Sequence, residues 1–482
     1  MASEQSKRRE DALGARMSRR EFLALVGAGS ASLLAPGILP ASAFAASDKP
    51  NILVVVADDQ GYADLGIQGC KDVPTPNIDS IGKNGVRFTN GYVSCPVCSP
   101  TRAGLQTGRY QQRFGHEFNP GPNPDPNFGL PLTEVTVADR LKKAGYATGL
   151  VGKWHLGFKP EQHPMKRGYD EFFGFLAGGH SYFFSQPQPV NSAILRGTDT
   201  VMEDTYLTDA FGREAVAFVK KHAEHPFFLM LTFNSVHTPQ DVIDKYVNRF
   251  KSIADPKRQK MAAMLSAMDD AVGEVLNALR STKVYDNTLI FFVSDNGGPT
   301  GSNASRNDPL SGFKGQVLEG GIRVPFLAQW NGHIPADKTY DQPVIALDIH
   351  PTCLAAAGTD GAVPSDKALD GVDLLPYLDG KKTGAPHEWL FWRYGPQSAA
   401  RKGRWKLVVR EGKTQLFDLD TDIGEKTDLY QQKPDSAREM EEGLAKWDSE
   451  MVKPLWRTGG RAPANRAANR AARQAAKAKA GT

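Results

Sequence analysis

Short apolar runs closed by polar, turn-forming residues recur along the chain. After Asn51, residues 52–57 are all Ile, Leu, Val or Ala, and Asp58-Asp59-Gln60-Gly61 follows directly. Residues 287–293 repeat the plan and lead into Ser294-Asp295-Asn296-Gly297-Gly298. Residues 146–151 run into Gly152-Lys153-Trp154-His155-Leu156-Gly157, and residues 226–233 into Asn234-Ser235-Val236-His237-Thr238-Pro239. Such β-rich runs, bounded by Gly, Asp and Asn, read as fully buried strands. Residues 133–144 and 261–280 carry apolar positions at helical spacing, the second more regularly. Strand and helix alternate to about residue 375, which predicts an α/β fold with a central, mostly parallel sheet flanked by helices. From about residue 385 the texture changes. Residues 389–394, 405–410 and 414–419 are short strands at hairpin spacing, with Gly403 and Gly412 in the turns, and residues 437–451 read as a helix. That predicts a small antiparallel sheet with a covering helix.

The ends of the chain differ from the body. Ser18-Arg19-Arg20-Glu21-Phe22-Leu23 is similar to a twin-arginine export signal, and a modest apolar stretch leads to Ala43-Phe44-Ala45, an A-x-A cleavage pattern. This reads as a removable signal over residues 1–45 and not as an anchor. No apolar run is long enough to span a membrane and remain in the mature chain. The 482-residue chain carries a net charge of +4, but the Ala-rich stretch 457–482 has seven Lys or Arg and no acid. With that stretch and the signal set aside, the body is acidic, at −5. The basic tail reads as a solvated, disordered segment. A tether to polyanionic glycan or envelope is the sharper alternative, and export argues against nucleic acid.

Chemistry enters at the strand ends. Asp58, Asp59, Asp295 and Asn296 all lie just past the carboxyl end of a predicted strand, where open α/β sheets bind their ligands. A single Asp there is usually a turn or a cap, but two doublets in matching places point to a site. Three carboxylates and a carboxamide, without His or thiolate among them, suit a hard cation such as Ca²⁺ or Mg²⁺. Lys153, His155, His237 and Lys314, the last in Gly312-Phe313-Lys314-Gly315, form an oxyanion-binding and proton-transfer set around it, with Arg323 in Glu319-Gly320-Gly321-Ile322-Arg323 as a further cation. Cys98-Ser99-Pro100-Thr101-Arg102 continues through Thr107-Gly108-Arg109. Pro100 suits the first turn of a helix. Cys98 then sits at a helix N-terminus, where free N–H groups favour an anion, and Arg102 follows one turn later with its planar fork. Cys95 and Cys98 also form C-x-x-C, which offers a redox pair or half a zinc site. No second C-x-x-C exists, because Cys70 and Cys353 are isolated.

The Cys98 segment resembles the signature of the type I sulfatases, a branch of the alkaline-phosphatase-like superfamily. The other blocks match motifs of that family in the same chain order, over about residues 51–429. The resemblance implies an alkaline-phosphatase-like domain at 46–384 and a smaller α+β domain at 385–456, where Leu416-Phe417-Asp418-Leu419 and residues 425–429 match a recurrent segment. It implies that Cys98 is oxidised by a dedicated maturation enzyme to formylglycine, whose hydrate attacks sulfate esters. Asp58, Asp59, Asp295 and Asn296 match the metal ligands, with residue 98 completing the shell and calcium as the usual ion. Arg102 matches the residue that steadies the formylglycine, and Lys153 and Lys314 match the sulfate-binding lysines. His155 matches the group that helps deprotonate the remaining hydroxyl during sulfate release, and His237, assisted by Lys314, the general acid for the leaving alcohol. With Cys98 converted, Cys70, Cys95 and Cys353 leave room for at most one internal bridge.

The leading expectation is a sulfate-ester hydrolase, exported through the twin-arginine machinery to the periplasm or beyond. A phosphate or phosphonate monoester hydrolase of the same superfamily is the first alternative, and a non-catalytic sulfated-glycan-binding protein the second. The expected substrates are sulfated carbohydrates, of galactose or N-acetylgalactosamine type, and aryl sulfates. The polar and aromatic stretch 163–184, with His180 in Gly178-Gly179-His180-Ser181-Tyr182, is the expected sugar-binding segment.

Overall fold

A computed structural model describes residues 49–120, 127–183, 192–359 and 367–457; the expected signal at 1–45 and the tail after Arg457 lie outside the described residues. The sheet is built as the apolar runs require. Strand β1 (Asn51–Ala57) is buried along its whole length. Its side chains alternate between two layers: Ile52, Val54 and Val56 face one, Leu53, Val55 and Ala57 the other. A strand with two buried faces has to be apolar at every position, which is why its sequence shows no polar alternation.

The other strands are β2 (Val86–Phe88), β3 (Gly91–Tyr92), β4 (Ala147–Lys153), β5 (Glu171–Phe175), β6 (Ile194–Arg196), β7 (Asp199–Val201), β8 (Phe227–Thr232), β9 (Thr288–Ser294), β10 (Phe326–Gln329), β11 (Lys338–Tyr340) and β12 (Val344–Ile345). Ten of them form one sheet in the order β11-β2-β10-β9-β1-β8-β4-β5-β6-β7, while β3 pairs with β12. The central strands β9, β1, β8, β4 and β5 are parallel. In register, Ala57 lies beside Ser294, Val56 beside Thr232, and Thr232 beside Gly152. The residues after β1, β8 and β9, and those at the end of β4, therefore emerge along one edge.

Helices cover both faces. On one face α1 (Pro76–Lys83), α4 (Leu207–His222) and α5 (Pro256–Ser281) pack on Leu53, Val55 and their neighbours. On the other lie α2 (Cys98–Thr107), α3 (Val137–Lys143) and α6 (Ile349–Ala356). The α3 helix begins four residues later than the apolar pattern predicts. Thr136 accepts a hydrogen bond from Asp139 N and Asp139 reaches back to Thr136 N, a reciprocal capping box that sets the start. Conversely, α5 begins five residues earlier, because Asp255 caps Lys257 N and Pro256 opens the first turn.

The C-terminal sheet has four strands in sequential antiparallel order: β13 (Trp389–Tyr394), β14 (Gln397–Lys402), β15 (Trp405–Arg410) and β16 (Lys413–Asp418). The sequence predicts three of these. β14 has no apolar alternation and exists because both of its neighbours pair with it. Helix α7 (Pro434–Ser449) covers the sheet, and Trp392, Leu407 and Leu444 belong to the same hydrophobic layer as α2 and α3. No helix among the described residues is long and apolar enough to cross a membrane.

Candidate active site

The parallel strand ends bring the predicted acidic residues together. Asp58, Asp59, Asp295 and Asn296 are all buried. Asp295 Oδ1 accepts from Asp59 N at 3.2 Å, and Asn296 Nδ2 donates to Asp59 Oδ1 at 2.8 Å. Asp59 itself adopts a left-handed backbone conformation, φ 63°, which turns the chain sharply as it leaves the sheet.

Cys98 is the first residue of α2, preceded by the extended Val97, and all ten residues of the helix are buried. Its Sγ lies 3.7 Å from Asp58 Oδ1 and 3.2 Å from Lys314 Nζ. Arg102, one turn on, donates Nε and Nη2 to Asp295 Oδ2 at 3.0 and 2.8 Å, and Nη1 to the Lys153 carbonyl. It thereby locks the helix to the ends of both β9 and β4. Lys153, the last residue of β4, donates to Asp58 Oδ2 at 2.6 Å, and Lys314 donates to Asp59 Oδ1 at 2.5 Å. Lys314 sits in a tight turn closed by Gln316 N on the Phe313 carbonyl, with Gly315 at φ 87°. Such a turn demands glycine at that position. Gly315 N donates to the Pro96 carbonyl and Gln397 Nε2, from β14, to the Gly315 carbonyl.

The histidines are held differently. His155, at φ 59°, is buried, and its Nδ1 has no hydrogen-bond partner among the described residues. Its carbonyl accepts from Ser99 Oγ at 2.6 Å, and Ser99 Oγ lies 2.6 Å from Nε2 of the buried His116. The single hydroxyl hydrogen goes to the carbonyl, so His116 must carry its proton on Nε2. His237 is half-buried; Nε2 is 3.6 Å from Asp59 Oδ2, and Nδ1 lies 2.6 Å from the Thr238 carbonyl. His180 lies outside the buried cluster, on the exposed loop. Its ring packs near Phe175, and its nitrogens face the Ser181 and Ser192 carbonyls.

Burial and charge together set the proton states. Burial pushes the Cys98 thiol up to about 12, against the pull of Lys153 and Lys314. Cys95 is pushed well above its ordinary range by the same cause. Both cysteines are free thiols, so the C-x-x-C pair is neither a disulfide nor an activated thiolate. Burial, reinforced by Lys153 and Arg102, keeps His155 well below the ordinary histidine range and therefore neutral. Burial alone would raise Asp295, but Arg102 and Lys153 outweigh it and hold the carboxyl below its usual value. Burial would likewise strip Lys314, yet Asp59 and its acidic neighbours keep the amine cationic.

The donor set could hold a metal ion. Donor atoms of Asp58, Asp59, Cys98 and His237 lie within 4.8 Å of one another. The Asn296 Oδ1 is buried with no partner among the described residues. A buried carbonyl oxygen left unpaired is unfavourable unless something else takes its lone pair. Three carboxylates beside three cations also make a site in which an incoming anion meets fixed ammonium groups.

The sulfatase family model matches residues 50–359. The chain belongs to the sulfatase family. It is an enzyme of sulfate-ester hydrolysis, and its fold is that of its relatives. It is 35% identical to N-acetylgalactosamine-6-sulfatase of Sus scrofa over 385 residues, 75% of this chain and 72% of that one. It is 33% identical to the sulfatase YdeN of Escherichia coli (strain K12), over 72% of this chain and 69% of that one. Among solved structures, Ps i-CgsB in complex with k-i-k-neocarrahexaose superposes with a TM-score of 0.81 at 39% identity, covering 85% of this chain and 94% of that one.

Several residues of this sulfatase that shape the site carry no signal in the sequence. Ser99 and His116 support the His155 backbone, and Gln397 reaches the Lys314 turn from a separate sheet. Gly178 and Gly179 are visible as a pair, but what they touch is not.

Proposed function

We propose that this sulfatase cleaves sulfate monoesters of carbohydrates, using a formylglycine made from Cys98 and one divalent cation, Ca²⁺ in preference to Mg²⁺. The observation that carries the reading is the setting of Cys98. Its thiol is buried, held protonated, and wedged between Lys314 and Asp58. Thiol nucleophiles act as thiolates, so this position is unsuited to sulfur chemistry. It is suited to a hydroxyl-bearing carbon among acceptors and ammonium groups. The hydrated aldehyde supplies two hydroxyls on one carbon, one to take the sulfate and one to expel it. A cation held by Asp58, Asp59, Asp295, Asn296 and residue 98 supplies positive charge for the non-bridging sulfate oxygens.

The remaining roles follow from position and proton state. Lys153 and Lys314 flank the carboxylate pair and offer fixed positive charge to the sulfate. Arg102 holds Asp295 and the end of β4, and so fixes the surroundings of residue 98. His237, beside Asp59 and the most exposed of the set, protonates the leaving alcohol. The neutral, buried His155 takes the proton from the second hydroxyl as sulfate is released. The N-acetylgalactosamine-6-sulfatase and the neocarrahexaose complex among its relatives support a galactose- or N-acetylgalactosamine-type sulfated sugar. The reading includes maturation by a formylglycine-generating enzyme, then folded export by the twin-arginine route to the periplasm or outside the cell.

Mass spectrometry of the peptide ending at Arg102, from active protein made in its native host, is expected to show an aldehyde or hydrate mass at residue 98. Cys98→Ala abolishes turnover, whereas Cys95→Ala retains most of it. Full activity with only unmodified thiol at 98, or a higher efficiency on aryl phosphate than on aryl sulfate, overturns the reading.

A further inference from the structure

We propose that the loop 178–182 is a positioning element shared by both proton-transfer histidines, Gly178 setting the ring of His155 while Tyr182 sets His237. The inference rests on the roles given to those histidines above.

Space, and not backbone conformation, is what Gly178 provides. Neither Gly178 nor Gly179 is among the glycines with positive φ. A Cβ at Gly178, however, would lie 2.5 Å from His155 Nε2 and 2.6 Å from its Cε1. The imidazole edge therefore rests directly on the Gly178 main chain. The main chain of His155 is already fixed: its N–H donates to the Leu176 carbonyl at 3.2 Å and its own carbonyl accepts from Ser99. A methyl group at 178 can be accommodated only if the ring or the loop main chain shifts.

The same loop backs His237. A Cβ at Gly179 would meet His237 Cε1 at 3.4 Å and Nδ1 at 3.5 Å, an ordinary contact. The Tyr182 hydroxyl lies within hydrogen-bond reach of the His237 carbonyl, at 3.0 Å, and of the Asn234 carbonyl. Tyr182 N and Ser181 Oγ are anchored on Asp241 at 3.1 and 2.9 Å. One short loop thus touches the residue for leaving-group protonation and the residue for sulfate release. These act in successive halves of the reaction, so their mutual placement matters as much as either alone. The polar side chains of this loop, His180 included, bond to protein backbone or to Asp241. The position that presses on the His155 ring is one without a side chain, and the hold on His237 comes from the Tyr182 hydroxyl on its main chain.

The test is a double-mutant cycle with sugar sulfate and aryl sulfate as substrates. A misplacement of about 1 Å can cost ~10²-fold in rate. Gly178→Ala is therefore expected to lower kcat by about 10- to 100-fold with KM little changed, and to accumulate sulfated enzyme visible by intact mass. Gly179→Ala is expected to stay within about threefold of wild type. On a His155→Ala background, Gly178→Ala should add no further loss, because the group it positions is gone. An additive loss there, or a Gly178→Ala enzyme with wild-type kcat and no adduct, overturns the proposal. Should Gly178→Ala fail to fold, Tyr182→Phe decides. The expected result is about a tenfold loss on sugar sulfate with aryl sulfate little affected, and equal effects on both overturn the proposal. A His155→Ala enzyme of wild-type activity would instead overturn the role of His155, whatever Gly178→Ala does.

Discussion

The two sheets contribute to the same site in opposite ways. The ten-stranded sheet supplies chemistry. Its central parallel strands end along one edge, and the residues just past β1, β8 and β9, with the last residue of β4, are the carboxylates, amide, lysine and histidine of the site. The four-stranded sheet contributes none of those groups. Antiparallel strands alternate direction, so their carboxyl ends cannot all gather along one edge. What it supplies is constraint on the turn that carries Lys314. Gln397 holds the Gly315 carbonyl at 2.9 Å, and Glu425, just beyond the sheet, takes Glu319 N at 2.7 Å. Lys406, fully buried, bridges Glu319 and Glu425 at 2.8 Å to each. The sulfatase family model covers the first sheet and stops before the second. Substitutions in the large sheet should therefore remove a step of the reaction, and those in the small one should blunt it.

The largest effect is expected at the strand ends. Asp295→Ala deletes an acceptor shared by Arg102 and Asp59 N as well as a proposed ligand. Activity is expected to vanish and bound divalent metal, measured by elemental analysis, to be lost with it. An inactive variant that keeps its metal would confine Asp295 to holding Arg102.

His237→Ala separates the halves of the reaction. A nitrophenolate leaves without a proton, but a sugar alkoxide does not, and general acid assistance is worth ~10²–10⁴-fold. Sugar-sulfate turnover is expected to fall by that order while aryl-sulfate turnover falls far less. Steady-state rates on both substrates decide it, and equal losses would remove His237 from the role of acid.

In the small sheet, Gln397→Ala deletes one hydrogen bond to the Lys314 turn. Such a bond is worth about 1 kcal/mol, so kcat is expected to fall only about fivefold, with bound metal unchanged. A loss as deep as that of Asp295→Ala would show that the small sheet takes part in the chemistry and end the contrast.

The same contrast explains what the sequence made legible. β1 and β9 could be read because a strand buried on both faces must be apolar throughout, and their metal-type doublets because ligands gather at strand ends. Residues at 58, 59, 98, 102, 153, 155, 237, 295, 296 and 314 were readable as candidates, and the fold brings all ten into one neighbourhood. β14 was not readable. Gln397, Ser398, Ala399 and Ala400 carry no pattern of their own, and the partner of Gln397 is a backbone carbonyl 82 positions away. His180 shows the converse. A polar and aromatic loop invites a substrate-binding reading, yet this ring faces backbone carbonyls, and the informative residues beside it are Gly178 and Tyr182. The capping box at Thr136 was present in the sequence, but an apolar pattern beginning earlier masks it.

The smallest effect lies under the Lys314 turn. Lys406 is one cation shared by two buried carboxylates, so both cannot be stably ionised. Glu319 has Arg323 and the nearby Arg401 as well, and although burial opposes ionisation, Lys406 and these arginines hold it below the ordinary range. Glu425 lacks them; burial raises it to about 7, with Lys406 pulling the other way and Glu319 adding to the rise. A carboxyl raised on folding binds more protons folded than unfolded. Its stabilising contribution is complete below the unfolded value near 4.5 and is lost as pH rises through about 7. Glu425→Gln keeps the hydrogen-bonding shape without the titration. Its stability relative to wild type is expected to rise between pH 5 and 8, by on the order of 1–2 kcal/mol, and to level off above that, with kcat little changed at either pH. Denaturant midpoints of both proteins at pH 5, 6.5 and 8 measure it. A difference that is flat with pH would mean that Glu425 is ionised throughout, and that Lys406 satisfies both carboxylates at once.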